Sequence, residues 1–524
     1  MTRFRFLPLL IFFLSALFSP PSPAQEVRIH ADFPNGSLGG WRQAESGEVI
    51  LSHATGSAGL WFHFRVENAQ DRPLRFVFPK VRNDYFGGAN LPVYSYNQTH
   101  WSYVSQRTIT PLPDDSSHVR FSFQLTPAQN RVWLAFSPPY DANRLNRLLQ
   151  TAGASGHATA SVIAAAPVSG RALPVLRIPA QPLDPAPQQR VLVLAREDAY
   201  ETASSYLAEG MVRFLISDDP IAQALRRRAH FFFMPLLDAD GVEQGYAVHP
   251  FDWHPEGVFW TETWPETLYS FYEQRQTKRY LQRLFERGEK LTHAFRLHSE
   301  AWSRDRLRRE HAAEVAHATQ DALFLTQLGE RFLPWYENAD RTQPDTRFSK
   351  VVIDRFPNAI TGLVQSDWVF PNNLVPAYPL YKTTGDLMVE GELFMRALAE
   401  EMGLSASDHP PFLHAARLAP LSQGLSKFAA QCVYRDLNGR PPAYVRVVVN
   451  ETPYDLEPLQ PVTDEAAYQQ GVLYGGFIEV QGRDHVHHFA ASNGSREVRV
   501  PRQGNRPGPY WLSAPATPES PDEP

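Results

Sequence analysis

Cysteine is almost absent from this chain of 524 residues, since Cys432 is the single one, and an intrachain disulfide is therefore excluded. Lysine and arginine form no dense block, and the net charge at pH 7 is −6, which argues against nucleic acid as a partner. Hydrophobic residues make up 43% of the chain and aromatic residues 12%. That content supports several hydrophobic cores and excludes a chain that is disordered throughout.

The N-terminus carries the chain's longest apolar run, Phe6 to Phe18, preceded by Arg3 and Arg5 and followed by Ser22-Pro23-Ala24. A charged start, an apolar core and small residues at a cleavage point are typical of a secretory signal peptide. The run is shorter than the roughly 20 apolar residues that span a bilayer. We expect a signal peptide over residues 1–24 and a periplasmic, envelope-associated or secreted protein without a stable membrane span. The alternative is a buried N-terminal helix.

Short alternating segments separated by turn residues predict an antiparallel β-sandwich over residues 25–150. The clearest of these segments are Trp61 to Val66, Arg75 to Phe78, Val119 to Gln124 and Arg131 to Phe136.

Strands alternate with helices in the middle of the chain, which predicts an α/β domain with a mixed sheet over residues 158–405. An apolar strand, Arg190 to Leu194, precedes a helical stripe from Glu201 to Ile216. A second helix follows from Ile221 to Arg228, then a strand from Phe231 to Leu237, which is apolar enough to be buried on both faces. A final helix is expected near Gly391 to Met402.

The C-terminal part again reads as β structure. A proline-rich stretch, His409 to Pro420, is expected to be a connector to a β module over residues 425–512, and residues 513–524 to be a disordered tail. Tyr434, Asn438-Gly439 and Tyr444-Val445-Arg446 resemble the immunoglobulin-like repeats appended to exported microbial proteins. The resemblance implies an immunoglobulin-like β-sandwich.

A longer resemblance covers roughly Val27 to Leu404. Its specific part runs from Arg190 to Val242, where many positions agree at fixed spacing. The segments that carry it are Asp32-Phe33, Leu60 to Val66, Val191 to Arg196 with Glu201-Thr202, Asp218-Asp219-Pro220, Met234 to Leu237 and Asp240-Gly241-Val242. Together they resemble the zinc carboxypeptidase family, in its cytosolic-type branch. The resemblance implies hydrolysis of a C-terminal peptide or isopeptide bond at a zinc ion.

In that family zinc is held by two histidines and a glutamate, two of them from a His-x-x-Glu turn. The matching turn here begins with Asp198 and ends with Glu201, and the third position matches His298. A metal on two carboxylates and one imidazole would be zinc or a harder divalent ion such as manganese, iron or calcium. Alternatively, Asp198 is a turn residue and Glu201 is an acid at a helix N-terminus.

Two further family positions have changed chemistry. Where the family has an Asn-Arg clamp for the substrate carboxylate, His254 and Pro255 stand here. His254 matches the substrate-binding Asn position, but histidine and proline cannot form the clamp's bidentate fork. Alternatively, His249, His254 and Glu256 form a different polar cluster or another metal site, or they are surface or packing residues. The family's catalytic glutamate lies in a strand of the type Tyr-Thr-Leu-Glu before the last helix, and Tyr381 is matched to it.

Tyrosine, with an ordinary pKa of about 10, is a poor base near neutral pH. Glu390 and Glu392 are expected to be acids in the first turn of the last helix rather than substitutes for that base. The aromatic-rich stretch Phe251 to Tyr272 either lines a pocket or belongs to a core.

Two hypotheses remain. The first is a divergent, exported metallocarboxypeptidase that acts on or binds peptide C-termini or cell-wall-derived peptides. The second is a catalytically inactive pseudoenzyme that serves as a peptide- or glycan-binding module. Whether Asp198, Glu201 and His298 converge on one point separates them.

Overall fold

The fold is taken from a computed structural model of the chain. It describes residues 26–54, 60–83, 91–180, 189–246, 272–299, 306–308, 324–339, 352, 356, 358–366, 368, 381–404, 409–421, 426–462, 464–481, 485–502 and 504–508. The predicted signal peptide and the predicted tail lie outside these residues. No helix among the described residues is long and apolar enough to cross a membrane.

The N-terminal unit consists of two five-stranded sheets that share one hydrophobic core. One sheet has the order β1-β4-β10-β6-β7 and is antiparallel; the other has the order β2-β3-β5-β9-β8. The pairing of β3 with β5 is parallel, so the prediction of a purely antiparallel unit is wrong at this point. The strands are β1 (Arg28–His30), β2 (Gly40–Gln43), β3 (Val49–Ser52), β4 (His63–Glu67), β5 (Leu74–Arg82), β6 (Val93–Ser95), β7 (Ser102–Tyr103), β8 (Arg107–Leu112), β9 (Asp115–Leu125) and β10 (Arg131–Ala135).

The central unit is built on an eight-stranded mixed sheet of order β11-β12-β14-β13-β15-β18-β16-β17, as predicted. The four neighbouring strands β14, β13, β15 and β18 run parallel, and their residues are nearly all buried. The strands are β11 (Thr159–Ala165), β12 (Ala172–Ile178), β13 (Gln189–Ala195), β14 (Ala229–Met234), β15 (His293–His298), β16 (Arg306–Arg308), β17 (Glu337–Ala339) and β18 (Ile360–Gln365).

Helices flank this sheet and pack through glycine. A Cβ on Gly210 would lie 2.1 Å from the Met388 carbonyl oxygen, and one on Gly391 would lie 2.2 Å from the Leu207 carbonyl oxygen. The second and sixth helices can therefore approach backbone to backbone only because both positions lack a side chain. The helices are α1 (Ala142–Ala154), α2 (Thr202–Leu215), α3 (Pro220–Arg228), α4 (Ala239–Gln244), α5 (Tyr272–Glu286), α6 (Thr384–Glu401) and α7 (Ala467–Gln470), with a π-helical turn at Leu328–Phe332.

The C-terminal unit consists of two sheets around a shared core, of order β19-β20-β24-β23 and β22-β21-β25-β26. A short strand, β27, pairs with β25. The strands are β19 (Phe412–Pro420), β20 (Lys427–Arg435), β21 (Tyr444–Val449), β22 (Thr452–Asp455), β23 (Glu457–Pro458), β24 (Val472–Glu479), β25 (Val486–Ser492), β26 (Glu497–Val500) and β27 (Arg506–Pro507).

Arginine side chains of this unit form hydrogen bonds and an ion pair with the central unit. The Arg435 guanidinium donates to the backbone carbonyls of Arg331 and Phe332 at the end of the π-helical turn. Arg506 donates to the Thr383 hydroxyl at 3.2 Å, and Arg502 pairs with Glu392 of α6. Phe412 and Val433 also belong to the central unit's core.

Two predictions for this region are wrong. The stretch predicted as a connector contains β19, which pairs with β20. Its residues from Phe412 to Ala416 are buried, and its prolines stand at the ends of the stretch. The last helix begins at Thr384, where Thr383 and Asp386 form a reciprocal capping box. Glu390 and Glu392 therefore lie in its second and third turns and are buried, where Lys382 and Arg396 compensate their charges.

Candidate metal and ligand site

The candidate site lies at one edge of the central sheet. Strand β13 ends at Ala195 and leads into the turn before α2, and its neighbour β15 ends at His298. On the other side of β15, Gln365 ends β18 in register with His298. Because these three strands are parallel, their carboxyl ends bring the turn, His298 and Gln365 together, as is usual for ligand sites in open α/β sheets.

The turn between β13 and α2 is held by a buried arginine. Arg196 has a left-handed backbone, with φ of 62°, and its guanidinium donates to the Ala199 carbonyl at 2.8 and 2.6 Å and to the Tyr140 carbonyl at 3.2 Å. The Ser204 hydroxyl accepts from the Arg196 amide at 3.2 Å and donates to the Glu201 carbonyl at 2.7 Å. These bonds fix the backbone that carries Glu197, Asp198 and Glu201.

His298 lies between two glutamates. Its Nδ1 is 3.1 Å from Glu201 Oε1, and its Nε2 is 2.7 Å from Glu197 Oε2. Arg296, two residues earlier on β15, forms an ion pair with Glu197 at 2.6 Å. All four side chains are at most 3% exposed, so the cluster is a buried network of two acids and two bases.

The charges in this network stabilise one another. Burial alone would raise the pKa of Glu197, but Arg296 and His298 outweigh it and hold that pKa at about 2. Burial alone would lower the pKa of His298, but the charge of Glu201 and the hydrogen bonds to both glutamates raise it well above its ordinary value. His298 Nε2 also lies 2.9 Å from the Arg296 guanidinium, so both ring nitrogens of His298 are engaged within the network.

Two of the three candidate metal ligands therefore meet. A tetrahedral zinc with bonds of 2.0–2.2 Å separates its ligand atoms by about 3.3–3.6 Å, slightly more than the 3.1 Å between His298 Nδ1 and Glu201 Oε1. A carboxylate on the other ring nitrogen is the usual arrangement behind a zinc-bound histidine. Asp198 is buried on the same turn, but the described residues contain no group of three or more histidines, cysteines or acids placed to hold a metal. The described residues thus place two of the three predicted ligands, His298 and Glu201, at a spacing close to that of metal ligands.

The other predicted residues are not brought to this cluster by the described contacts. Tyr381 is half-buried and packs against Tyr103 of β7, with ring centroids 4.7 Å apart. His254 lies outside the described residues, as do His249, Glu256 and nearly all of the aromatic-rich stretch. The described strand that lies beside His298 is β18, which ends in Leu363-Val364-Gln365. The match of Tyr381 to the family's catalytic base stays a prediction.

Three residues of the site were missed from the sequence: Glu197, Arg296 and Gln365. Arg296 interrupts the apolar run of a buried strand, and an isolated charge there requires a partner. Glu197 stands next to Asp198 and is separated from Arg296 by 99 residues, so only the parallel pairing of β13 with β15 shows their proximity. The sequence around Gln365 does not indicate that it belongs to the site, because its proximity to His298 follows only from the order of strands in the sheet.

Comparisons with known proteins agree with this geometry. The family described as cytosolic carboxypeptidase N-terminal domain matches residues 29–137, and the family described as zinc carboxypeptidase matches residues 146–268. Residues 29–137 and 146–268 are thus similar to these two families, in agreement with the resemblance predicted from the sequence.

Similar proteins come from bacteria and animals. Human cytosolic carboxypeptidase 6 is 26% identical over 231 residues, which cover 41% of this chain and 46% of that protein. An uncharacterised protein of Zymomonas mobilis is 26% identical over 188 residues, covering 36% and 46%. The matched region thus spans about half the length of these curated relatives.

Solved structures show the same fold at low sequence identity. A metallo-carboxypeptidase from Burkholderia cenocepacia superposes with a TM-score of 0.60 at 17% identity, covering 72% of this chain and 99% of that one. The metallo-carboxypeptidase of Pseudomonas aeruginosa in complex with (2-guanidinoethylmercapto)succinic acid gives 0.55 at 17% identity, covering 72% and 100%.

Proposed function

We propose that this protein binds peptide C-termini or cell-wall-derived peptides and glycans on a carboxypeptidase fold without hydrolysing them. The observation that carries the proposal is the closed network of Glu197, Arg296, His298 and Glu201. In this network the positive charges of Arg296 and His298 offset the charges of the two glutamates.

The chemistry beside the network supports the same function. Peptide hydrolysis needs a group that takes a proton from water and returns it to the leaving amine, which contributes about 10²–10⁴-fold to the rate. The amide of Gln365 has no pKa in the accessible range and cannot do this. Tyr381 is a poor candidate as well, because burial raises its pKa above the ordinary value, against the opposing charges of Arg107 and Arg417.

Binding and hydrolysis can be measured on one sample. The purified protein, loaded with excess zinc, is incubated with a mixed library of N-acetylated tripeptides, and affinity is read by isothermal titration and cleavage by mass spectrometry. We expect saturable binding of a subset of peptides and no release of C-terminal residues. Zinc-dependent release that is lost in the Glu201→Gln variant would contradict the proposal.

A second function, a divergent metallopeptidase, is supported by the ligand-like spacing of His298 and Glu201. Those two residues, with Asp198, would hold a divalent ion, which would polarise a carbonyl and activate water. Elemental analysis after zinc loading tests it: near-stoichiometric zinc that is lost in His298→Ala supports it, and a protein that retains no zinc contradicts it.

We also propose that the protein is exported, since its N-terminus has the features of a signal peptide, and that its C-terminal unit is an immunoglobulin-like sandwich. Determination of the N-terminus of the protein produced with its full leader tests the export. Cleavage after Ala24 is the expected result, and an intact Met1 in the mature protein is the contrary one.

A further inference from the structure

Gln365 is a buried amide with an unused donor. Its side chain is 1% exposed, and within the described part of the chain its Nε2 has no hydrogen-bond partner. The neighbouring groups are occupied otherwise, since the Ser366 amide donates to the His298 carbonyl at 2.9 Å, and the Ser366 hydroxyl donates to Glu390 at 2.8 Å. A buried donor without an acceptor costs stability, so its presence at this edge calls for an acceptor from outside the chain.

The position of Gln365 fixes where that acceptor would lie. Gln365 and His298 are directly paired on neighbouring parallel strands, so their side chains leave the sheet on the same face, with backbones about 4.8 Å apart. The free amide donor therefore lies beside the network of His298 and Glu201, at the edge where β13, β15 and β18 end.

The charges around Gln365 indicate the kind of acceptor. Glu197 is paired with Arg296, and His298 is shared between Glu197 and Glu201, so this network offers no uncompensated cation to a carboxylate ligand. A neutral oxygen is the better match for a neutral amide donor in such surroundings, because it brings no charge to be desolvated.

From this arrangement we infer that Gln365 is a ligand-binding residue that donates a hydrogen bond to an amide carbonyl oxygen. The inference rests on the proposed binding function and sharpens it. The ligand is recognised through an internal amide group, from a peptide bond or from the N-acetyl group of an amino sugar, and not through a free C-terminal carboxylate.

The test uses the full chain and three probes: the N-acetylated tripeptide library with free C-terminal carboxylates, the same library with C-terminal amides, and tetra-N-acetylchitotetraose. Both peptide libraries are expected to bind within about threefold of each other, whereas a requirement for the free carboxylate would overturn the inference. If the sugar binds more tightly than both libraries, the carbonyl oxygen that accepts from Gln365 belongs to an N-acetyl group. If the peptides bind more tightly, it belongs to a peptide bond. Failure of all three to bind the wild type overturns the proposed function together with the inference.

Variants then isolate Gln365. Gln365→Leu removes the unused donor. Gln365→Met removes it as well, has a shape closer to that of glutamine, and serves as the second variant if the leucine variant does not fold. Both are expected to raise the melting temperature by about 2 °C or more and to weaken binding about tenfold. Gln431→Leu, the same change at a half-buried position on β20, is the control and leaves binding unchanged. Unchanged binding in both Gln365 variants, while the wild type binds, overturns the inference alone.

Discussion

The ion pair of Arg296 and Glu197 provides the sharpest test of the site's structure. Replacement of Arg296 by methionine keeps most of the side chain's volume but removes the guanidinium that pairs with the buried Glu197 carboxylate. Removal of one member of a buried ion pair costs about 3–5 kcal/mol. Here the pair is at most 3% exposed, and its hydrogen bonds measure 2.6–2.7 Å, so the upper part of that range applies.

A double-mutant cycle separates the pair from its surroundings. Glu197→Gln alone also leaves a buried charge, on Arg296, and is expected to cost about 3 kcal/mol. Arg296→Met combined with Glu197→Gln removes both charges. The double variant should therefore lose less free energy of unfolding than the sum of the two single losses, by at least about 2 kcal/mol.

The assay is urea unfolding followed by tryptophan fluorescence, with equal slopes required across the variants. Arg171→Met is the matched control: Arg171 pairs with Glu243 at 2.7 Å but is 39% exposed, so its loss should cost less than about 1 kcal/mol. A loss for Arg296→Met no larger than that of the control, or additive losses in the double variant, would refute the buried network.

Three further predictions concern the rest of the fold. Gly391→Ala should destabilise the protein by at least about 2 kcal/mol because the added Cβ would meet the Leu207 carbonyl. Gly153→Ala, whose Cβ would have no atom within 4 Å, should instead stabilise α1 by about 0.5–1 kcal/mol. Thermal unfolding of the two variants measures both effects. Arg435→Met should cost about 1.5–3 kcal/mol, since its charged hydrogen bonds to two carbonyls of the π-helical turn are lost, and urea unfolding that shows no loss would contradict the docking of the C-terminal unit. Burial lowers the pKa of His63 to about 3, against the opposing effect of its hydrogen bond to the Asn35 carbonyl, whereas the unfolded chain binds this proton below about pH 6.5. The free energy of unfolding should therefore fall by about 2 kcal/mol from pH 7 to pH 5. His63→Asn, which keeps a donor for the Asn35 carbonyl, should remove that part of the pH dependence, and an unchanged dependence would contradict the prediction.

The architecture was predictable wherever local periodicity determines the element. The alternation of Trp61 to Val66 and the apolar strand at Arg190 to Leu194 both gave strands close to those observed, and Asp219-Pro220 marked the start of α3. Periodicity does not specify which strands pair, so the parallel contact of β3 with β5 was missed.

The site was predictable only in part, for a related reason. Glu201 and His298 were found because they stand at the spacing of the family's zinc ligands, and the structure brings them together. Gln365 was missed because its role depends on the order of strands in the sheet, not on its neighbours in sequence. Glu390 was misplaced because its burial in the helix depends on partners outside the helix: Lys382 just before it, and Trp335 and Tyr336 more than 50 residues earlier.

The central claim, binding without hydrolysis, is tested most directly by native mass spectrometry of the zinc-treated protein mixed with a tripeptide selected from the library. One spectrum shows both whether a complex forms and whether the bound peptide is intact. The account predicts a complex whose mass equals the protein plus the whole tripeptide, unchanged after prolonged incubation. A complex or free product that contains a peptide shortened by its C-terminal residue would contradict it.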